Sequence, residues 1–355
     1  MVMREIEDEV PVQTFEELVE EAGLKYSNDL LKGFSRVGEQ GSFKFLDKRG
    51  NEITEEKVLQ RINGLKIPPA WTEVWISPLA KGHLQATGKD AKGRKQYIYH
   101  QDWGKLRCET KFHRMKFFGS VLPAIREKVE KDLKIKELTK EKVLATVVGL
   151  LDHTLVRIGN RAYARDNKSF GLTTLRDRHM KAVGKDVMFE FVGKKGVKQQ
   201  IKVTDSKLAS IVKKCKDIPG YELFQYYDYN KNRHAIQSHD VNDYLKSITG
   251  EEISAKDFRT WGSSSYAIKL LLETELPNSQ RQLKKSVNEI IKTVAEKLGN
   301  TATVCKKHYL HPIIVEAYND NIIQKILDEE PEYYLNGPKL LYPEEKLFLR
   351  VLEKV

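Results

Sequence analysis

Short apolar segments alternate with turns over the first third of the chain. Four segments, at 42–46, 71–76, 84–88 and 96–100, contain apolar or aromatic residues, and stretches with Gly, Pro, Asn and Asp separate them. Short runs bounded by such residues are typical of β-strands joined by turns. The pattern therefore predicts a small β-rich domain over residues 1–105.

In the rest of the chain, apolar residues recur at the spacing of an α-helix. The stretch 142–158 places its apolar residues on one helical face, with Thr139 as its N-cap and Gly159 as its stop. Because this period dominates the remaining sequence, we expect a mainly helical domain over residues 106–355.

Three further patterns complete the prediction for the second domain. Residues 187–203 alternate between apolar and polar around the turn 193–196, as a β-hairpin does. Ser254 and Asp257 form a capping box that opens a helix, and the apolar tail after Pro331 predicts a terminal helix. The fold class is therefore α+β: a small β-rich domain precedes a mainly helical domain that contains one β-hairpin.

The charge balance points to a polyanionic partner. The 355 residues include 61 Lys and Arg against 50 Asp and Glu, which gives a net charge of +11 at pH 7. Many acidic residues lie in the first 21 positions, so the remainder is more basic than the average. DNA or RNA is the first candidate partner, and an ordinary solvated basic surface is the alternative.

Several classes of protein are not expected. No apolar stretch approaches the ~18 residues of a membrane span, and the acidic N-terminus does not resemble a secretory signal. Three cysteines in 355 residues favour a reducing compartment. We therefore expect neither a membrane segment nor a disulfide framework.

The sequence indicates neither a nucleotide nor a metal cofactor. Gly88-Lys89 has the wrong spacing for a phosphate-binding loop, and Asp90 stands where such a loop needs Ser or Thr for magnesium. One pattern does have the spacing of metal ligands, formed by Cys305, His308 and His311. Because Pro312 interrupts the helix and no fourth ligand is evident, we interpret these three as ordinary helix residues.

Tyr309 is the candidate for covalent chemistry. It lies in the sequence Lys-Lys-His-Tyr-Leu-His, in which neighbouring cations favour the phenolate over the phenol. Taken alone, a packing role is the ordinary interpretation of a tyrosine. The sequence around Tyr309 favours covalent chemistry over a packing role.

Five ordered blocks resemble type IB DNA topoisomerases, in particular the poxvirus-like and bacterial branch. Residues 298–309 are similar to the family's active-site segment. The other blocks are the DNA-facing strand of the small domain at 93–99, the first-arginine helix and the segment after it at 155–163 and 171–176, the lysine hairpin at 191–194 and the second-arginine helix at 256–262. Because the blocks appear in order and span most of the chain, the protein is identified as a member of this family by resemblance.

The resemblance implies a catalytic set. Tyr309 would attack a phosphodiester, Arg157 and Arg259 would bind the phosphate, and Lys194 would be the general acid for the leaving 5′ oxygen. Arginine suits this role because its planar fork matches two phosphate oxygens. Asn300 stands where many members carry a histidine, and it can still donate one N–H as a neutral group, although a helix C-cap is the alternative.

The resemblance also implies DNA contacts outside the catalytic set. Lys256 would be a phosphate contact or a second member of a proton relay. The other expected DNA-binding residues are Arg94, Gln96, Tyr97 and Tyr99 on one strand of the small domain, and Arg161 and Tyr163 near the first arginine. Alternation places the two strand tyrosines on one face, where packing on the sheet core is the competing interpretation.

We therefore expect a topoisomerase that relaxes supercoiled double-stranded DNA without ATP, metal or another cofactor, as a monomer clamped around the duplex. A cytoplasmic location, in a bacterial nucleoid or a cytoplasmic virus, fits the lack of an evident targeting segment. One alternative is a tyrosine recombinase or integrase, although those proteins usually carry His-x-x-Arg where this chain has Lys256 and Arg259. The other is a DNA-binding protein without catalysis.

Overall fold

The computed structural model describes residues 19–39, 41–91, 93–274 and 279–354. The chain divides into two compact units, Met1–Lys111 and Phe112–Val355. The boundary inferred from the sequence, at residue 105, stays a prediction. It falls in the same 33-residue helix, Gln101–Leu133, in which the first unit ends. Most of the acidic N-terminal residues that pull the net charge down lie before residue 19, outside the described residues.

The first unit contains a five-stranded antiparallel sheet with the strand order β2-β1-β3-β4-β5. Its strands are β1 (Phe34–Val37), β2 (Lys44–Leu46), β3 (Thr72–Ile76), β4 (Leu84–Lys89) and β5 (Lys95–Tyr99), and helix α1 (Glu56–Gly64) packs against this sheet. The core between helix and sheet contains Ile62, Val74, Ile76 and Ala86. The sequence pattern predicted four of these strands and missed β1 and α1.

The second unit is mainly helical around one continuous apolar core. Its helices are α2 (Gln101–Leu133), which begins in the first unit, α3 (Lys140–Thr154), α4 (Arg161–Asn167), α5 (Ser206–Lys216), α6 (Ser238–Thr249), α7 (Ala255–Leu272), α8 (Gln280–Lys297), α9 (Ala302–His308), α10 (Ile313–Asn319), α11 (Ile322–Glu329), α12 (Pro331–Asn336) and α13 (Pro343–Lys354). Helix α7 is buried along most of its length. The architecture confirms the predicted α+β class.

Helix α3 ends earlier than the sequence pattern predicted. Thr139 caps its N-terminus, as expected, by accepting a hydrogen bond from the N–H of Lys142 at 3.3 Å. The helix stops at Thr154 because Leu155 adopts a left-handed conformation, with φ of 55°. The following backbone pairs with another segment instead, since the carbonyl of Arg157 accepts from the N–H of Leu172 at 2.9 Å. The prediction that the helix continues to Gly159 is therefore wrong, and Arg157 lies in the loop after it.

The predicted hairpin is part of a larger sheet. Strands β7 (Asp186–Val192) and β8 (Lys198–Val203) form it, and β6 (Met180–Val183) adds a third antiparallel strand along β7. A second hairpin, β9 (Gln225–Tyr227) and β10 (Arg233–Ala235), was also missed. The expectation of a single hairpin is wrong because these extra strands are only three or four residues long, too short for alternation to register.

The C-terminal helix packs on the body of the second unit, which confirms the predicted terminal helix. Residues Leu347, Phe348 and Val351 of α13 are buried. The carboxylate of Glu345 accepts hydrogen bonds from Arg126 Nη1 at 2.6 Å and from Trp261 Nε1 at 3.0 Å. The α13 helix is therefore joined both to α2 and to the buried helix α7.

Arg126 is a half-buried cation whose charge two carboxylates balance. Its Nε lies 2.8 Å from Asp152 Oδ2, and its Nη atoms contact Glu345. Burial alone would lower the pKa of Arg126, but the hydrogen bonds and charges of Asp152 and Glu345 outweigh it and raise the pKa. Arg126, Asp152 and Glu345 thus form an ion cluster that joins α2, α3 and α13.

Replacing Glu345 with alanine should destabilise the protein by about 3 kcal/mol, because removal of this buried partner leaves the half-buried charge of Arg126 incompletely compensated. Urea unfolding followed by tryptophan fluorescence would measure the shift in midpoint. The control is Glu353→Ala on the same helix, which breaks an exposed ion pair to Arg350 and should cost at most about 1 kcal/mol. Equal shifts for the two variants would contradict the structural role of Glu345.

Candidate active site

Arg259 is buried in α7 and joins the ends of two other helices. The capping box at the start of α7 forms as predicted, with the N–H of Ser254 donating to Asp257 Oδ2 at 2.9 Å. One turn further on, Arg259 is only 4% exposed. Its Nη1 donates to the carbonyl of Leu155 after α3, and its Nη2 to that of Leu298 after α8, at 3.0 Å. The left-handed turn at Leu155 thus delivers a carbonyl to the buried arginine.

The guanidinium of Arg259 lies against the ring of Tyr309. Its central carbon is 5.0 Å from the ring centroid. Burial, reinforced by the positive charge of Arg157, lowers the pKa of Arg259 to about 10. The group is still a cation at neutral pH, and its buried Nε has no hydrogen-bond partner among the described residues. The site therefore contains a desolvated positive charge with an unused donor.

Tyr309 follows the last residue of α9, and the end of that helix fixes its backbone. Thr301 caps the N-terminus of α9 by accepting from the N–H of Val304 at 3.3 Å. The N–H of Tyr309 donates to the backbone carbonyl of Cys305 at 2.9 Å. The hydroxyl of Ser264 on α7 donates to the carbonyl of Tyr309 at 3.4 Å.

Sequence reasoning missed Ser264. This serine contacts the backbone of Tyr309 and also the backbone of the segment that follows it. The hydroxyl of this fully buried residue accepts a hydrogen bond from the N–H of His311 at 3.0 Å. It therefore contacts the backbone on both sides of Leu310. A serine inside a helix gives no local signal for such a role, because its partners lie 45 and 47 residues away in sequence.

The pKa of Tyr309 is lowered, as the sequence predicted, but for a different reason. Burial of the phenol would raise its pKa, and the positive charges of Arg259, Arg157 and Lys256, with a hydrogen bond from Arg259, outweigh that effect. The sequence argument relied instead on the cations and histidines beside the tyrosine in the chain, which are Lys306, Lys307, His308 and His311. The positive charges with the largest effect on the phenol come from elsewhere in the fold, and Lys306 is exposed.

Arg157 and Asn300 are in direct contact although 143 residues separate them. Nη2 of Arg157 donates to Asn300 Oδ1 at 2.5 Å. The N–H of Asn300 donates to the carbonyl of Ala295 at 2.9 Å, just after the left-handed Gly299 ends the turn. The buried Nδ2 of Asn300 has no partner among the described residues. The amide is thus held through its oxygen and keeps a free donor.

The loop that carries Arg157 depends on a close approach by Gly171. A methyl group on Gly171 would lie 2.5 Å from the carbonyl oxygen of Arg157 and 2.6 Å from the Cα of Gly159. Since these are backbone atoms, no side-chain movement could relieve the contact. This position requires glycine for space, and it lies in the second half of the block that resembled the first-arginine segment.

The two lysines of the predicted site are both exposed. Lys256 lies at the start of α7, and its charge acts on Tyr309. Lys194 lies in the turn between β7 and β8, next to Lys195 with its positive φ of 63°. Within the described ranges, no hydrogen bond or ion pair joins Lys194 to Arg157, Arg259, Asn300 or Tyr309. The structure therefore brings four of the five predicted catalytic residues together and leaves Lys194 on the surface.

The predicted DNA-binding residues Gln96, Tyr97 and Tyr99 lie on β5, and Arg94 directly precedes it. Tyr97 and Tyr99 share the exposed face, with stacked rings whose centroids are 6.0 Å apart. Arg94 Nε and Gln96 Nε2 both donate to Asp90 Oδ2, at 2.7 and 3.0 Å. The strand thus presents two rings to solvent beside a cation and an amide that one carboxylate orders.

The remaining two predicted contacts lie on the short helix α4 of the second unit. Asn160 caps this helix by accepting from the N–H of Tyr163 at 3.2 Å. Tyr163 is 47% exposed, and Arg161 forms a long ion pair of 3.7 Å with Glu222. Both side chains are accessible to a ligand.

Comparison with known proteins identifies the class. Residues 100–331 match the family model of the eukaryotic DNA topoisomerase I catalytic core, and residues 42–90 match that of the bacterial DNA topoisomerase IB N-terminal domain. The DNA topoisomerase 1B of Acanthamoeba polyphaga mimivirus is 31% identical over 299 residues, which cover 82% of this chain and 89% of the viral protein. The DNA topoisomerase I of Monkeypox virus is 26% identical, covering 78% of this chain and 86% of that protein.

The match to a cellular relative covers a smaller share of that protein. The DNA topoisomerase 1 of Schizosaccharomyces pombe is 27% identical over 289 residues, which are 78% of this chain and 33% of the yeast protein. Taken together, these matches define an enzyme that acts on DNA. This chain belongs to the type IB DNA topoisomerase family. The inference from five sequence blocks is thereby confirmed, and the recombinase alternative is not favoured.

Membrane insertion was not expected from the sequence. Among the residues that the structure describes, no helix is long and apolar enough to cross a bilayer.

Replacing Arg157 with glutamine should raise the pKa of Tyr309, because one of the cations that offset its burial is removed. The ring-carbon chemical shifts of 13C-labelled tyrosine, followed against pH and assigned with Tyr309→Phe, would measure the change. Lys306→Gln is the matched control, since Lys306 is closer in sequence but exposed. A larger shift in the Lys306 variant would contradict the assignment of the cause to Arg157.

Proposed function

We propose that this enzyme relaxes supercoiled duplex DNA by transesterification through Tyr309. The phenolic oxygen attacks a backbone phosphorus, the bond from phosphorus to the 5′ oxygen breaks, and a 3′-phosphotyrosyl ester forms while a 5′ hydroxyl is released. The free end rotates, and the reverse reaction reseals the strand. Because the ester retains the energy of the broken bond, the cycle requires neither ATP nor a metal ion.

The observation that carries this proposal is the contact between a buried cation and the attacking group. Arg259 lies 5.0 Å from the ring of Tyr309, and its Nε is an unused donor. Attack on phosphorus builds negative charge on the phosphoryl oxygens, and a desolvated guanidinium stabilises that charge more strongly than a solvated one. The same charge lowers the pKa of Tyr309, which increases the fraction of phenolate.

Asn300 acts as a neutral donor to a phosphate oxygen. Its Oδ1 is occupied by Arg157 at 2.5 Å, which leaves the buried Nδ2 for a ligand. Arg157 can use its remaining N–H groups on the same phosphate. The pair thus supplies one neutral and one cationic donor from a single hydrogen-bonded unit.

Lys194 acts as the general acid for the leaving 5′ oxygen, and Lys256 contacts phosphate or belongs to the same proton relay. The exposed position of Lys194 at the hairpin tip suits this role, because a bound duplex can reach it there. A flexible ammonium group can follow the leaving oxygen and protonate it in the transition state.

Double-stranded DNA is the substrate that the family implies. We propose that Arg94, Gln96, Tyr97 and Tyr99 in the first unit, and Arg161 and Tyr163 in the second, contact its backbone and base edges. One copy of the chain would act as a clamp around the duplex, through two domains divided near residue 105. We place its activity in the cytoplasm, in a bacterial nucleoid or during replication of a cytoplasmic virus.

Tyr309→Phe should abolish both plasmid relaxation and the covalent adduct with a suicide DNA substrate, because it removes the attacking oxygen. Relaxation by the unaltered enzyme should proceed in EDTA without ATP. Tyr333→Phe is the control, since its buried hydroxyl has no partner among the described residues and should not be needed. An adduct on another residue, found by mass mapping of the DNA-linked peptide, would refute the assignment of the nucleophile.

Asn300→Ala should slow single-turnover cleavage by about 10² to 10³, the usual cost of removing one donor to a developing oxyanion. Asn300→His should retain more activity, with a rate that rises as pH falls through the histidine pKa of about 6.5, because the protonated ring is the better donor. Unchanged cleavage by the alanine variant would show that Asn300 only ends the turn after α8.

A further inference from the structure

Gln199 on β8 contacts two segments that the proposed mechanism must bring together. One is the turn that carries Lys194, and the other is the turn that carries Asn300. Neither the family blocks nor the catalytic chemistry singled this residue out. Its position becomes meaningful only through the two glycines against which its side chain lies.

The first contact is with the base of the lysine turn. A methyl group on Gly193 would lie 3.2 Å from Cγ of Gln199. Gly193 directly precedes Lys194, and its N–H donates to the carbonyl of Val197 at 2.7 Å to close the turn. The stem of Gln199 therefore packs against the backbone from which the lysine projects.

The second contact is with the turn before Asn300. A methyl group on Gly299 would lie 2.4 Å from Nε2 of Gln199 and 3.3 Å from its Cδ. Gly299 has a φ of +59°, and Asn300 follows it. The amide end of Gln199 therefore lies directly on the backbone of the Asn300 turn.

These contacts are made by packing. The amide of the half-buried Gln199 forms no hydrogen bond to another residue in the described parts of the chain, so the side chain is not held there by a polar partner. In the sheet register Gln199 is opposite Phe191, whose ring is buried in the core. At this one register position the strand pair is thus anchored in the core through Phe191 and meets the Asn300 turn through Gln199.

From this arrangement we infer that Gln199 is a positioning residue that sets the distance between Lys194 and the cluster of Asn300, Arg157 and Tyr309. The inference rests on the proposed role of Lys194 as general acid. Without the stem of Gln199, a gap would open between the hairpin and Gly299. The ammonium group of Lys194 would then no longer lie at the correct distance from the leaving oxygen. Misplacement by about 1 Å can cost about 10² in rate.

The leaving group offers a readout specific to the acid. In the natural reaction Tyr309 attacks as the phenolate, its proton having passed to solvent, and the bond between its Oη and phosphorus forms. The bond to the 5′ oxygen breaks, and the proton on Lys194 Nζ moves to that oxygen. If sulfur replaces the bridging 5′ oxygen, the thiolate can leave without a proton, because a thiol has a pKa of only about 8.5. A defect confined to Lys194 or to its position should then disappear.

The experiment measures single-turnover cleavage of suicide duplexes that contain either bridging atom. Gln199→Ala should cleave the oxygen substrate at least about tenfold more slowly and the sulfur substrate at the unaltered rate. Lys194→Ala should have the same pattern with a larger oxygen defect, about 10² to 10⁴. Gln200→Ala, which removes the same side chain from the next and exposed position of β8, should match the unaltered enzyme on both substrates.

A conservative variant separates spacing from hydrogen bonding. Gln199→Met keeps the length of the side chain without its amide, so it should restore most of the oxygen rate. If Gln199→Met is as slow as Gln199→Ala, or if Gln199→Ala is slow on both substrates or on neither, the positioning role is wrong. If sulfur fails to rescue Lys194→Ala, the proposed general acid is wrong instead, so the two failures are distinguishable.

Discussion

The buried guanidinium of Arg259 is the interaction on which the site depends. Moving a cation out of water is costly unless an anion or several hydrogen bonds compensate it. Here two carbonyls, from Leu155 and Leu298, accept from its Nη atoms, and the Tyr309 ring lies beside it. Among the described residues no carboxylate pairs with it, so the charge is solvated by dipoles alone. A phosphate is the ligand that would complete this coordination, which is why a site with such a residue suits DNA.

Arg126 differs from Arg259 in the residues that surround its charge. It is half-buried and also joins separate helices, but Asp152 and Glu345 neutralise it. These carboxylates raise its pKa, whereas burial lowers that of Arg259. A guanidinium with two carboxylates has little electrostatic attraction left for an anion. Burial of an arginine is therefore no signal of function by itself. The partners decide whether the charge stabilises the fold or remains available to a substrate.

Local signals in the sequence predicted local structure well. The N-cap at Thr139, the capping box at Ser254 and the strand-turn-strand pattern around residues 193–196 all form, because their hydrogen bonds join residues that are neighbours in the chain. The same reasoning failed at the end of α3. The apolar residues after Thr154 continue a helical period, but their backbone pairs with residues 172 and 173 instead, a choice that tertiary contacts impose.

By itself, the sequence determined the family and the α+β class, because type and order of residues are properties of the chain, and it named the residues that we propose for the chemistry. Only the tertiary structure decided how they act on one another. Arg157 meets Asn300 across 143 residues, and Ser264 meets the backbone of Tyr309 across 45. The positive charges that lower the pKa of the phenol most are those of Arg259, Arg157 and Lys256, which are distant from Tyr309 in sequence. Electrostatic and packing forces act over distances in space, and spacing along a chain does not encode them.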